Sequence, residues 1–303
     1  MSVQTLILQT PPRFSFWHTI HSHGWCDLAP FAVNRDAHLL RRLLRLEDGT
    51  LVDCALHAPS KRRIRVRMNA APPLTLPQRR EVGTILSACF RLDDDLTPFY
   101  RAAASHPRYR WIPKLGAGRM LRAPSVFEDA VKMILTTNCN WSLTKSMTLN
   151  LTKALGRSPD GALYSFPTPA DLAGQSESFM RTQIRTGYRS PYLLEFAERV
   201  ASGTLDIESW RSTSKPTDEL FKEMKSVKGM GDYAVGNLLK LIGRYDYLGL
   251  DSWVRAQYAE LHHGGRRVSD RTIERAYARY GEWRGLLFWL EMTREWYTEK
   301  FPF

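Results

Sequence analysis

Asp251 lies in the run Leu250-Asp251-Ser252-Trp253-Val254-Arg255, a carboxylate among apolar residues, 20 positions after Gly231. A carboxylate so placed can stabilise a developing cation and orient or deprotonate a water. Upstream, Gly229 and Gly231 flank Met230. Glycines there bring backbone N–H groups against a ligand with no side chain in the way. A helix beginning directly after them aims its positive end at the same place, so phosphate is the natural occupant. On that second helix Tyr233, Gly236, Asn237 and Lys240 share a face, a polar and aromatic surface fitted to a DNA backbone with a pocket beside it. The same two glycines would also serve an ordinary helix–helix turn or a protein that only holds DNA. Asp251 is what adds chemistry to the hairpin.

The positioning elements follow from periodicity. A helix starts near Pro216 and Thr217 and places Leu220, Phe221, Met224 and Val227 on one face. After the hairpin, Ala234, Val235, Leu238, Leu239 and Ile242 form the buried stripe of the second helix. Earlier, Val126, Phe127, Val131, Ile134 and Leu135 make the apolar side of a helix led by Pro124. It runs into Thr136-Thr137-Asn138-Cys139-Asn140-Trp141. Asn138 in such a turn is either a helix C-cap or a residue that fills the gap left by a flipped nucleotide and pairs with the orphaned base. Between residues 14 and about 70 the chain reads as an antiparallel meander. Phe14, Phe16 and Ile20 open it. An Asp48-Gly49 turn and an Ala58-Pro59-Ser60 turn separate the later strands, and Ile64, Val66 and Met68 alternate with Arg63, Arg65 and Arg67. That arginine stripe reads as the solvated face of a one-sided sheet in preference to a nucleic-acid surface. Pro72, Pro73 and Pro77 end the sheet, and Arg79 to Phe90 reads as a helix.

Three clusters invite a metal reading, and the simpler reading is preferred for each. His18-x-x-His21-x-His23-x-x-Cys26 has no known ligand spacing and reads as a loop. Asp93-Asp94-Asp95 reads as a helix boundary with capping carboxylates. Cys26, Cys54, Cys89 and Cys139 include no CxxC pair, so neither a zinc ribbon nor a clustered iron–sulfur site is expected, and free thiols in a reducing cytoplasm suffice. The 303 residues carry a net charge of +12, with 43% hydrophobic and 24% charged residues. This favours a folded chain with an anionic partner, nucleic acid first. No 18-residue apolar run is present, so no membrane span is expected.

Taken together, the spacing from hairpin to Asp251 resembles the helix-hairpin-helix DNA glycosylase superfamily, whose catalytic aspartate occupies this place. Asn138–Asn140 and Gly187-Tyr188-Arg189-Ser190-Pro191-Tyr192 resemble the corresponding segments of eukaryotic-type 8-oxoguanine glycosylases, as does the Phe90–Tyr100 run. The resemblance implies an α+β fold: an N-terminal antiparallel sheet domain (1–105) packed on a mainly helical body (106–303). It further implies that Asn138 and Tyr188 wedge beside the lesion, that Arg189 reaches the opposite base and that Phe288 closes the base pocket. Asn140, Lys228, Gly229, Gly231 and Lys240 would contact DNA. Tyr233, Asn237 and Trp253 would line the pocket, with Asp251 catalytic. In relatives, hairpin carbonyls bind a monovalent cation, here those of Lys225, Val227 and Met230, and no other cofactor is implied.

Two departures set the expected chemistry. The lysine that makes the 8-oxoguanine enzymes lyases is Tyr233 here, and a phenol forms no Schiff base. The proline usual two residues before the aspartate is Gly249. An aromatic at position 233 is similar to the bacterial 3-methyladenine glycosylase II type. The expectation is a monomeric, cytoplasmic, monofunctional glycosylase that binds damaged duplex DNA and releases an alkylated purine. The alternatives are an oxidised-purine glycosylase lacking the lysine, with Asn237 reading hydrogen bonds, and a non-catalytic lesion- or junction-binding protein.

Overall fold

In the computed structural model, residues 2–60, 62–298 and 301–302 are described. Five strands, β1 (Ser2–Gln9), β2 (Phe31–Asn34), β3 (Leu39–Arg45), β4 (Leu51–Ser60) and β5 (Arg63–Ala70), form one antiparallel sheet in the order β1-β5-β4-β3-β2. Ile64, Val66 and Met68 are buried while Arg63, Arg65 and Arg67 face out, the alternation expected of a half-buried strand. Two details differ from the sequence reading. The segment from Phe14 to Ile20 is not a strand: it contains helix α1 (Phe16–Ile20), N-capped by Ser15, whose hydroxyl accepts the His18 N–H. The missing strand is β1, whose Ser2-to-Gln9 run pairs along the whole of β5. The Ala58-Pro59-Ser60 stretch belongs to β4, with irregular register between His57 and Ser60.

Helix α2 (Leu76–Phe90) starts earlier than its periodicity suggests, because Thr75 and Gln78 form a capping box with Pro77 inside the first turn. The body continues with α3 (Thr97–Ala104), α4 (Trp111–Leu115), α5 (Val126–Thr136), α6 (Trp141–Leu155), α7 (Pro169–Ala173), α8 (Glu177–Phe179) and α9 (Ser190–Ala201). Then come α10 (Thr217–Lys225), α11 (Asp232–Ile242), α12 (Ser252–His263), α13 (Asp270–Tyr277) and α14 (Arg284–Met292). Helix α14 ends at Met292, and Thr293 separates it from a last turn, α15 (Glu295–Thr298); Glu299 and Lys300 lie outside the described residues.

One continuous apolar core joins the sheet to the helical body, from Leu8 through Phe127 and Leu239 to Phe301. Charge also crosses this junction. Arg42 of β3 meets Glu128 of α5, which pairs in turn with Lys132, and all three side chains are buried. Arg91, just past α2, donates to the carbonyls of Lys240 and Leu241 and so caps the C-terminal end of α11. Two of the three aspartates serve the boundary before α3: Asp94 pairs with Arg91, and Asp95 accepts the Thr97 N–H at 2.8 Å, while the N-cap position itself is Leu96. Among the described residues no helix is long and apolar enough to cross a membrane.

Candidate active site

The hairpin forms where the glycines place it. Leu220 and Met224 of α10 and Val227 beyond it are buried against the core. The turn closes with the Met230 N–H donating to the Val227 carbonyl at 3.1 Å. The two glycines differ in role. Gly229 has φ +87°, and a Cβ there would meet Tyr192 at 3.1 Å, so both backbone and space require glycine. Gly231 has φ −80° and open space where a Cβ would stand. It is the N-cap of α11, and no side chain caps its amides, so the positive end of the helix is presented outward. Lys225 pairs with Asp232 at 2.6 Å and Lys228 with Glu195 at 2.7 Å, both on the exposed rim.

Beyond α11 the chain turns at Gly243 (φ +101°) and runs back across the helix. The crossing is tight: a Cβ on Gly236 would sit 2.8 Å from the Gly249 Cα. This return delivers Asp251 to the N-cap of α12, where its Oδ1 accepts the Val254 N–H at 2.8 Å. One carboxylate oxygen is thereby anchored and the group keeps a fixed direction.

Asp251 borders a cavity of about 540 Å³ whose wall also includes Tyr233, Asn237 and Trp253. These four sequence candidates are thus brought together. The remaining wall went unread in the sequence: Trp25, Trp141, Trp289 and Trp296, with His23, Met133, Thr136 and Cys139 among others. Five tryptophans face one space. Three of them turn their N–H groups into the protein: Trp25 donates to Asp129, Trp141 to Asp27 and Trp289 to the Ser22 carbonyl. The surface they leave for a ligand is the electron-rich ring. Gly24 makes room for this wall, since a Cβ there would collide with the Trp141 ring at 2.3 Å. His23 donates through Nε2 to the Leu121 carbonyl, and burial pushes its imidazole down to about 4, so it is neutral at pH 7. Burial likewise pushes the Tyr233 phenol up, with a bond to Thr136 opposing the shift. The Asn237 amide donates to the Tyr233 carbonyl at 2.9 Å.

At the end of α5, Asn138 adopts φ +48° and its amide donates to the Tyr188 hydroxyl at 3.1 Å. Both side chains are exposed, so the two proposed wedges form one ridge. Three expected roles need correction, for Arg189, Lys240 and Phe288, while Asn140 keeps an exposed side chain. Arg189 does not project outward: it is buried, hydrogen-bonded to the Thr137 carbonyl and stacked on the Tyr188 ring, and it braces the ridge. Asn140 is the N-cap of α6, its side-chain oxygen accepting the Leu143 N–H. Lys240 is fully buried with its Nζ donating to the Leu248 carbonyl, out of reach of a phosphate. Phe288 is fully buried between Tyr258 and Tyr277, away from the cavity, and its neighbour Trp289 faces the cavity instead. One residue of helix turns a side chain by about 100°. The resemblance located the helix without settling its rotation. The histidine cluster is likewise spent on structure: His18 bonds the Leu115 carbonyl and His21 stacks on Phe301.

No family model matches the chain. A DNA-3-methyladenine glycosylase of Bacillus subtilis is 26% identical over 176 residues, 57% of each chain, so the match spans little more than half the length of that relative. Among solved structures, a 3-methyladenine DNA-glycosylase from Archaeoglobus fulgidus superposes with a TM-score of 0.76 at 18% identity, covering 96% of this chain and 99% of its own. The 8-oxoguanine glycosylase/lyase of Clostridium acetobutylicum in its apo-form gives 0.70 at 19% identity, covering 95% of each. The α+β architecture is therefore that of DNA glycosylases of both kinds, and the resemblance read from the motifs extends over nearly the whole fold.

Proposed function

We propose, from a fold shared with DNA glycosylases, that this protein is a monofunctional DNA glycosylase of base excision repair that releases N-alkylated purines of the 3-methyladenine class. The observation that carries the reading is the cavity itself: five tryptophans around a rim carboxylate, with a tyrosine where a lyase would hold its lysine. An alkylated purine is cationic, and a cation is attracted to aromatic faces. A neutral oxidised purine would need hydrogen-bond donors and acceptors. Here three indole N–H groups and one Asn237 N–H are already committed to protein acceptors, which favours the alkylated class.

Duplex DNA would lie across the hairpin, its phosphate on the amides at the start of α11 and on Lys228 once released from Glu195. A monovalent cation held by the carbonyls of Lys225, Val227 and Met230 would add positive charge at that phosphate. Asn138 and Tyr188 would enter the stack as the damaged nucleotide turns into the cavity. The C1′–N bond then breaks, its electron pair leaving with the base and neutralising the charge that alkylation placed there. Asp251 stabilises the oxocarbenium-like sugar and takes the proton of the water that attacks C1′. Tyr233 cannot form an imine, so no strand cleavage follows. The protein would act as a monomer in the cytoplasm.

Asp251→Asn is expected to abolish base release from methylated duplex DNA while leaving DNA affinity intact. Full base release by that variant would remove the assignment of Asp251, whereas duplex binding with no base release by either protein would favour a non-catalytic binder. A panel of alkylated and 8-oxoguanine duplexes separates the two lesion classes. Borohydride should trap no covalent adduct.

A further inference from the structure

Lys240 is fully buried on α11 yet carries an ionisable group that the mechanism above does not use. Its Nζ donates to the Leu248 carbonyl at 3.2 Å and lies 5.7 Å from the centre of the Trp289 ring. Residues 248–251 are the segment that delivers the Asp251 carboxylate. Gly249, inside that segment, has φ +67°, and a Cβ on it would sit 2.4 Å from the Lys240 Nζ. The ammonium and the missing side chain therefore fit each other: any residue other than glycine at 249 would push the amine away. Asp251 is the charged group that stabilises the Lys240 ammonium against burial. The other charges around this pair are already engaged: Arg255 on α12 pairs with Asp270 at 2.7 Å, His23 is neutral, and Tyr233 is un-ionised.

We infer that Lys240 is a positioning residue for Asp251: its buried amine, bonded to the Leu248 carbonyl and seated over Gly249, ties down the segment that carries the carboxylate. The inference rests on the glycosylase reading. Lysine suits the place because its charge is compact and sits at the end of an apolar stem that can be buried along α11. The amine is bonded to backbone and is spent on holding that segment.

The test is base release from methylated duplex DNA at neutral pH, corrected for the enzyme-free rate, with kcat and KM determined separately in wild type, Lys240→Met and Lys240→Gln. Lys240→Met, which has no donor for the Leu248 carbonyl, should lower kcat roughly tenfold while KM, duplex affinity and cooperative thermal unfolding are retained, and Lys240→Gln, which keeps an N–H donor, should recover part of the loss. An unchanged kcat in folded variants, with Asp251→Asn inactive, overturns the role of Lys240. Full base release by Asp251→Asn overturns the assignment of Asp251 instead. If neither lysine variant folds, the coupling is read from the other side, by NMR titration of ¹³C-lysine in wild type and Asp251→Asn. The Lys240 titration, which burial brings down to about 8, should move lower still once the Asp251 charge is gone; an unmoved titration refutes the pairing.

Discussion

Phe288 and Trp289 are consecutive residues that face different parts of the molecule. Phe288 is held by Tyr277 at 5.1 Å between ring centres and by Tyr258, whereas Trp289 contacts Trp296 and Trp253 on the cavity side. Truncating each should separate stability from recognition. Phe288→Ala is expected to lose about 3–5 kcal/mol of stability in urea unfolding, with base release retained at temperatures where it is folded. Trp289→Ala should reduce release of alkylated purines at least tenfold, with affinity for undamaged duplex unchanged; equal loss for every lesion tested would argue against cation recognition by the rings. His23 makes a prediction about pH at the same scale. Its folded value is lowered to about 4 by burial, so the native state resists a proton that the unfolded chain accepts near 6.5. Stability is therefore complete above pH 6.5 and falls as pH drops toward 4, by on the order of 3 kcal/mol. His23→Asn should flatten that part of the melting-temperature profile.

The hairpin joins α10 to α11 through two glycines with different reasons for being glycine. Gly229 needs a positive φ and has Tyr192 and Ile134 against it. Gly229→Ala should cost about 1–2 kcal/mol and weaken duplex binding, because the amides after it shift. Gly231→Ala, with a negative φ and nothing within 4 Å, should change stability by under about 1 kcal/mol. Any loss it causes should appear in DNA affinity, where the new methyl group faces the phosphate. Melting curves and fluorescence anisotropy on a short duplex distinguish these outcomes. The opposite end of α11 is equally fixed, since Arg91 caps its last carbonyls. The helix that carries Tyr233, Asn237 and Lys240 is thus located at both ends, one by the hairpin and one by the segment leading out of α2.

Across the whole molecule, the sheet and the helical body share one core and one buried charge network. Arg42, Glu128 and Lys132 are almost solvent-free, with Glu128 between two cations. Removing the negative member strands both positive charges, so Glu128→Gln is expected to destabilise the protein by about 3–5 kcal/mol. Urea unfolding would show it as a lower midpoint of a single transition if sheet and body unfold together. The cavity depends on the same junction. Trp25 and His23 come from the segment between α1 and β2, Trp141 from the start of α6, and Trp289 from α14. The N-terminal unit therefore supplies part of the site's wall as well as support.

The hairpin, the capping carboxylates and Asp251 were legible in the sequence because local chemistry constrains them. Glycine at a turn, a buried stripe at helical spacing and a carboxylate opening a helix each carry their reason within a few residues. The arginine strand was legible for the same reason, since a two-residue alternation names its own faces. What lay beyond reach was every contact made at long range. β1 shows as a strand only through its pairing with β5, about sixty residues away. The tryptophans of the cavity come from four separate segments, and no spacing within one segment announces a shared space. Lys240, Arg189 and Phe288 each had a role at the DNA or the base pocket implied by the resemblance, and burial reversed it, because a helix face is assigned by what packs on it. The sequence alone thus determined which chemistry was available at Asp251. Tertiary structure decided what surrounds that carboxylate: a wall of indole rings brought together from distant parts of the chain, and a buried ammonium bonded to the segment that carries it.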